Sequence, residues 1–457
     1  MTKGRRAAGR ESRPESGLRS QARGGPEYRL GLFESPGSER MVPKVLVHGI
    51  FCWGESSRIR GSCWPSALRG EPDWIFSQET GAVSSAHDRA CELFYELYGG
   101  RIDYGAEHSS TFKHKRFGAA LKAKWPNWSA DSPIDLIGHS HGGNVCIDLA
   151  LKLTHDFFGV GSDAQWVRSI VTLSSPINGT TLVYLLGLSL SDHRTVRTFS
   201  AIHLAGAFLA TFWRLTIALP VLQRLYDFRI RQWEAYTSLY DIWTMRHVCV
   251  TSTDNAFHDL APPRRHAENP RTADLSALFL FSVSSKVSVR STRFRLAPWY
   301  GRSIEIALPW GTYNPVVLVV SLLIRLHALR MWLMSNAPWH GEGDGRAEPF
   351  EGAASGAWAH SDGIVNTCSQ GAPFGESQHV VPNSAHGEPS AAVNHNEFSA
   401  NTQRLSLPVE RPASLRPGVW YRMHMGRDHF ATKNLDNLRR IAALLDALPI
   451  TPPVKPS

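Results

Sequence analysis

The sequence predicts an α/β fold built on a mostly parallel central sheet with helices on both faces. Three features predict it. Lys44-Val45-Leu46-Val47-His48 and Pro133-Ile134-Asp135-Leu136-Ile137-Gly138 are short apolar runs that each lead into a glycine turn, the pattern of strands buried on both faces. Residues 144–151 follow the second run with helical patterning, and Ser169-Ile170-Val171-Thr172-Leu173 is the next strand-like run. Strand, helix, strand in that rhythm is the repeat of a parallel sheet.

The rest of the chain fits around this unit. Residues 1–40 are rich in Arg, Gly, Ser and Glu without periodicity, which reads as a disordered basic extension. They lack the apolar core of a secretory signal. Residues 201–222 and 316–334 are apolar and long enough to suggest membrane spans. The first carries His203, Arg214 and Pro220 and the second Arg325, His327 and Arg330, and a central Arg costs about 2.5–3.5 kcal/mol, so no stable span is expected. Within the first, Leu204, Phe208, Leu215 and Leu219 recur at helical spacing, with Phe212 and Trp213 widening the stripe. Such a helix is either core or a lid that covers an apolar site and opens toward lipid. Residues 375–417 are Pro-, Ser-, Asn- and His-rich, and read as one long polar loop.

Composition excludes several classes. With 42% hydrophobic and 19% charged residues the chain has ample apolar material for a core. Of the net charge of +9, residues 1–40 hold nine Lys/Arg against five Glu. The remainder forms no basic and aromatic track for a phosphate backbone, so a nucleic-acid partner is not expected. The six cysteines include no C-x-x-C pair, which argues against a disulfide scaffold or a thiolate zinc site.

The chemistry starts at Gly138-His139-Ser140-His141-Gly142, a G-x-S-x-G motif that composition alone would produce roughly 0.3 times in such a chain. Its setting makes the difference: an apolar strand enters it and a helical pattern leaves it, the arrangement that holds a serine Oγ on a sharp exposed turn. A nucleophilic serine needs a base, an acid that orients the base, and donors for the developing oxyanion. In α/β-hydrolases the chain order is serine, acid, histidine. Asp362, in Ser361-Asp362-Gly363, and His429, in Asp428-His429-Phe430, satisfy that order. The backbone N–H groups of His141 and Ile50 are the candidate oxyanion donors.

At this point a family resemblance emerges. VLVHGIFCWG at 45–54, the long block at 84–118, LIGHSHGG at 136–143, SSPINGTTLV at 174–183, LYDFRIRQW at 225–233, TSTDNAFHDL at 251–260, SDGIVNT at 361–367, GVWYRM at 418–423 and RDHF at 427–430 occur in order. In these blocks the chain resembles the staphylococcal and thermoalkalophilic Bacillus-type true lipases, α/β-hydrolases with a zinc-bearing insertion. The resemblance implies Ser140 as nucleophile, Asp362 as acid and His429 as base. It also implies a structural zinc on Asp88, His108, His114 and Asp254; spacing alone would have left these histidines as solvated surface groups.

There are departures. Ala431 stands where the family carries a calcium-ligating Glu, which makes calcium doubtful. Ile177-Asn178 replaces a His-Asp pair, and His141 a common Gln. The organisation expected is one catalytic domain over 41–450, with a lid at about 186–225. The activity expected is serine-dependent hydrolysis of lipid esters, triacylglycerols above all, at an oil–water or membrane interface. A short-chain carboxylesterase, or a catalytically silent hydrolase-fold binding module, are the alternatives. The family is mostly secreted, yet no signal is visible, so no compartment follows.

Overall fold

The computed structural model of the chain describes residues 41–52, 63–189, 191–220, 222, 227–236, 238, 240–241, 246–285, 362, 364–374, 402–404, 415–425 and 429–450. Residues 1–40, the apolar segment 316–334 and most of 375–417 lie outside the described residues.

The central sheet has seven strands: β1 Lys44–Val47, β2 Trp74–Phe76, β5 Ile134–His139, β6 Val167–Leu173, β7 Phe279–Ser285, β8 Thr402–Arg404 and β9 Trp420–Met425. Their order is β2-β1-β5-β6-β7-β9-β8, and every neighbouring pair is parallel. One expectation is corrected here. The predicted loop at 375–417 is interrupted by β8, a three-residue edge strand paired with β9. So short a strand has no periodicity of its own, and its partner supplies the pairing.

Because side chains alternate across a strand, one strand serves two layers. Val45 and Val47 of β1, Ile134 and Leu136 of β5 and Ile170 of β6 pack on one face against two helices, α1 (Ala86–Tyr98) and α3 (His141–Thr154), through Phe94, Leu97, Val145 and Leu149. Leu46, Ile137, Val171 and Phe281 pack on the other face. There they meet Leu438, Ile441 and Leu445 of the C-terminal helix Leu435–Asp446. Each fully buried Leu, Ile, Val or Phe contributes roughly 1.5–3 kcal/mol, which favours this register over a one-residue slip that would turn every strand inside out.

Two additions sit outside this sandwich. The antiparallel pair β3 (Gly100–Asp103) and β4 (Phe117–Leu121) brackets helix α2 (Ala106–Phe112). A cap is built from α4 (Leu182–Leu186), α5 (Ala201–Ala218) and the short helices α6 (Val248–Thr251) and α7 (Ala256–Asp259) around a separate apolar cluster. Helix α5 starts at Ser200, whose side chain accepts from the His203 N–H, and stops two residues before Pro220.

Its orientation differs from a core reading of the stripe. The buried face is Ile202, His203, Gly206, Leu209, Ala210 and Trp213. The predicted stripe of Leu204, Phe208, Leu215 and Leu219 faces outward, 46–58% exposed. With apolar residues on both sides, periodicity could not choose the inner face; the packing partners do. By length and composition α5 could cross a membrane, though two fifths of it is buried in the protein.

Candidate active site

Ser140 joins β5 to α3 with φ 55° and ψ −133°, a backbone that a non-glycine residue holds at a cost of about 1–3 kcal/mol. The turn is over-determined. The Ser140 N–H donates to the Leu173 carbonyl at 2.9 Å, and a Cβ at Gly142 would stand 2.2 Å from the Val47 carbonyl oxygen. Only glycine lets α3 start this close to β1. The serine is thereby thrust out at the carboxyl end of the strands, where open α/β sheets form their sites.

His429 follows β9 at the same edge. Its Nδ1 lies 2.8 Å from Asp362 Oδ2, and both side chains are buried. Its carbonyl accepts from His139 Nε2 at 2.9 Å, one residue before Ser140. The Asp362 carboxylate is held by four further donors. Oδ1 accepts from the N–H groups of Ile364 at 3.0 Å and Val365 at 2.8 Å. Oδ2 accepts from Ser285 Oγ at 2.8 Å and Gln370 Nε2 at 2.9 Å. Neither Ser285 nor Gln370 is legible as functional in the sequence. Ser285 closes a plain strand, and only its place at the end of β7 brings it to the acid.

The oxyanion candidates flank the serine. His141 is the first residue of α3, where N–H groups have no acceptor within the helix. On the other side a Cβ at Gly49 would stand 2.8 Å from Ser140 Cβ, so the loop carrying Ile50 lies directly against the nucleophile. The substituted pair Ile177-Asn178 also finds an account. Asn178 is buried, its side-chain amide donates to the Ala372 carbonyl at 2.7 Å, and its side-chain oxygen accepts from the Phe374 N–H at 2.9 Å. It ties down the segment that follows Asp362.

The second site lies beside the β3–α2–β4 insertion. Asp88 is in the first turn of α1, capped by Ser85; His108 is on α2; His114 follows its left-handed C-cap; Asp254 precedes α7. His108 Nε2 is 3.2 Å from both Asp88 Oδ1 and Asp254 Oδ2, and His114 Nε2 is 3.8 and 3.4 Å from the same atoms. These four atoms are buried without a hydrogen-bond partner, and the cluster's donor atoms lie within 4.8 Å of one another.

A tetrahedral ion with bonds of about 2.0–2.1 Å has donor–donor edges of about 3.3–3.4 Å, so the cluster fits a small divalent cation. The outer contacts orient the ligands: Gln232 Nε2 donates to Asp88 Oδ2 at 3.0 Å, and His114 Nδ1 lies 2.9 Å from the Lys115 carbonyl. Burial, and then the facing Asp254, push the Asp88 carboxyl up. Burial works against charging His108, but Asp254 and Asp88 outweigh it and raise that imidazole to about 9.

Comparison with known proteins bears on the fold and on the family resemblance. Residues 66–261 match the family described as lipase-like, C-terminal domain. A lipase of Staphylococcus epidermidis is 32% identical over 162 residues, covering 32% of this chain and 22% of that protein. A lipase of Staphylococcus hyicus is 34% identical over 172 residues, covering 30% of this chain and 25% of that protein. The chain thus spans a quarter or less of the length of these curated relatives. The solved lipase 1 of Pelosinus fermentans superposes with a TM-score of 0.59 at 22% identity, covering 90% of this chain and all of that one. The Staphylococcus hyicus lipase gives 0.55 at 21%, covering 89% and 92%. These likenesses establish the α/β-hydrolase fold, and the sequence resemblance to the staphylococcal lipases holds.

Proposed function

We propose that this chain, with an α/β-hydrolase fold and sequence similarity to staphylococcal lipases, hydrolyses carboxylic esters of lipids through an acyl-enzyme on Ser140. The observation that carries the reading is the buried His429–Asp362 pair at 2.8 Å beside a serine on a strained strand-to-helix turn. Ser140 Oγ attacks the ester carbonyl while His429 Nε2 takes its proton. Asp362 holds the proton on Nδ1 and stabilises the imidazolium that forms. The N–H groups of Ile50 and His141 receive the oxyanion. Collapse of the tetrahedral intermediate expels the alcohol, protonated by His429, and water then releases the fatty acid by the same steps in reverse.

The cluster of Asp88, His108, His114 and Asp254 would hold zinc. Two carboxylates and two imidazoles close a tetrahedral shell, so the ion's role there is structural, joining α1, α2 and the α7 turn. The outward Leu204, Phe208 and Leu215 of α5, each about half exposed, support a lid that meets a lipid surface, since the apolar area they leave in water gains by burial in an interface.

The reading predicts a fluorophosphonate label on Ser140 of the full chain and hydrolysis of p-nitrophenyl palmitate, both abolished in Ser140→Ala. A chain that stays unlabelled is a binding module. Labelling with turnover of soluble butyrate esters alone, indifferent to an emulsified interface, would make it a short-chain esterase.

A further inference from the structure

We infer that Arg89 is a positioning residue of the oxyanion site, holding in place both chain segments that carry its N–H donors. The inference rests on the functional reading of Ser140. Arg89 lies in α1 next to Asp88 and is fully buried. A guanidinium in the interior is costly unless its N–H groups are satisfied, so where it donates is informative. Nη1 donates to His141 Nδ1 at 3.0 Å. Nη2 donates to the His48 carbonyl oxygen and lies 3.2 Å from His48 Nδ1. One planar fork therefore spans the end of β1 and the start of α3, the two segments on either side of Ser140.

The consequences follow from peptide geometry. One consistent network has His48 Nδ1–H donating to the Gly49 carbonyl at 2.9 Å while Nε2 accepts from Thr80 Oγ1 at 2.9 Å. The Gly49 carbonyl and the Ile50 N–H belong to one trans peptide and point in opposite directions. Anchoring the carbonyl aims the N–H. On the other side, a fixed His141 side chain fixes the first residue of α3, whose own N–H is the second donor. Burial, and then the adjacent Arg89, hold the His48 imidazole down at about 3 and that of His141 well below its usual range. Both rings are neutral near pH 7, and His141 keeps a lone pair for Nη1. A lysine at position 89 could serve only one of these acceptors well, because an ammonium lacks the planar fork. The His141 side chain thus acquires a role, as the acceptor through which the fork reaches α3.

The test uses the full chain with Arg89→Met and Arg89→Lys, a soluble butyrate ester, and a trifluoromethyl ketone that adds to the serine as a tetrahedral oxyanion. In Arg89→Met, kcat falls roughly 10²–10³-fold with KM unchanged, as for loss of an oxyanion donor. Affinity for the ketone weakens by the same factor as kcat/KM, because both report binding of the tetrahedral species. Arg89→Lys recovers part of both. A folded Arg89 variant with kcat within about threefold of the parent overturns the inference, as does a drop in kcat/KM without a parallel loss of ketone affinity. Failure of both variants to fold also overturns it, since Arg89 would then be purely structural. A parent that neither turns over the ester nor labels at Ser140 sinks the functional reading, and this inference with it; a labelled, active parent with indifferent Arg89 variants sinks the inference alone.

Discussion

Replacing Asp362 by Asn keeps shape and volume but places an N–H₂ where the structure has an acceptor. Oδ1 takes two backbone N–H groups, from Ile364 and Val365. Oδ2 takes Ser285 Oγ, Gln370 Nε2 and His429 Nδ1. An amide that keeps its oxygen on the two backbone donors must turn its nitrogen toward Gln370 Nε2, a donor, and toward His429 Nδ1. The imidazole can accommodate it only by moving its proton to Nε2, and it then cannot accept the proton of Ser140.

The expected loss is roughly 10⁴-fold in kcat, the size seen when the acid of a serine triad becomes an amide, or about 5.4 kcal/mol of barrier. The fold should also lose about 1–3 kcal/mol for the buried donor left unpaired at Gln370. Initial rates on p-nitrophenyl butyrate and a thermal melt separate the two effects. Ser285→Ala serves as the control: it removes one donor from Oδ2 without touching the tautomer, and should lower kcat by no more than about tenfold. An Asp362→Asn enzyme within about tenfold of the parent would refute the assignment of the acid.

The remaining predictions concern the metal cluster and pH. Purified chain should carry about one zinc, and His108→Ala combined with His114→Ala should carry none; the variant should also lose about 3–5 kcal/mol of stability, because Asp88 and Asp254 are left buried without cationic partners. Metal content unchanged in that variant excludes the cluster as the site. His48 and His247 are both buried with lowered pKa values, about 3 and about 4, from burial first and then from Arg89 and His203 respectively. Their unfolded values are near 6.5, so the unfolded chain binds more protons as the pH drops below that value, and stability falls from about pH 6.5 toward 4. Asp259, raised to about 6 by burial, acts in the opposite sense: its contribution is lost as pH rises from about 4 to 6. Other buried imidazoles and carboxyls shift over the same range, so the test is a difference: the melting temperature should decline less steeply from about pH 6.5 to 4 in His247→Gln than in the parent. Equal slopes in the two proteins contradict the assignment of a neutral buried His247.

Ser140 could be singled out from the chain because it sits in a G-x-S-x-G motif between a strand and a helix, whereas Asp362 and His429 satisfied the order that the chemistry requires and the resemblance implied the same pair. The ligands Asp88, His108, His114 and Asp254 could be named only through resemblance, since their spacing alone carries no signal among 20 histidines. The structure brings the four together from α1, α2, the turn after α2 and the turn before α7. Strands β1, β5 and β6 were legible because burial on both faces leaves mostly apolar residues to read, and helix α3 because helical patterning follows β5 directly. By contrast, Ser285 and Gln370 look like ordinary polar residues, and Arg89 like an ordinary helix cation.

The inner face of α5 was equally hidden, because apolar residues occupy more than half its circumference. Sequence alone proposed the reacting groups, because the residue types and their order follow from the chemistry and from local turn geometry. Tertiary structure decided which polar groups are buried beside them and which apolar face is left outside, because both depend on what packs against a surface from distant parts of the chain.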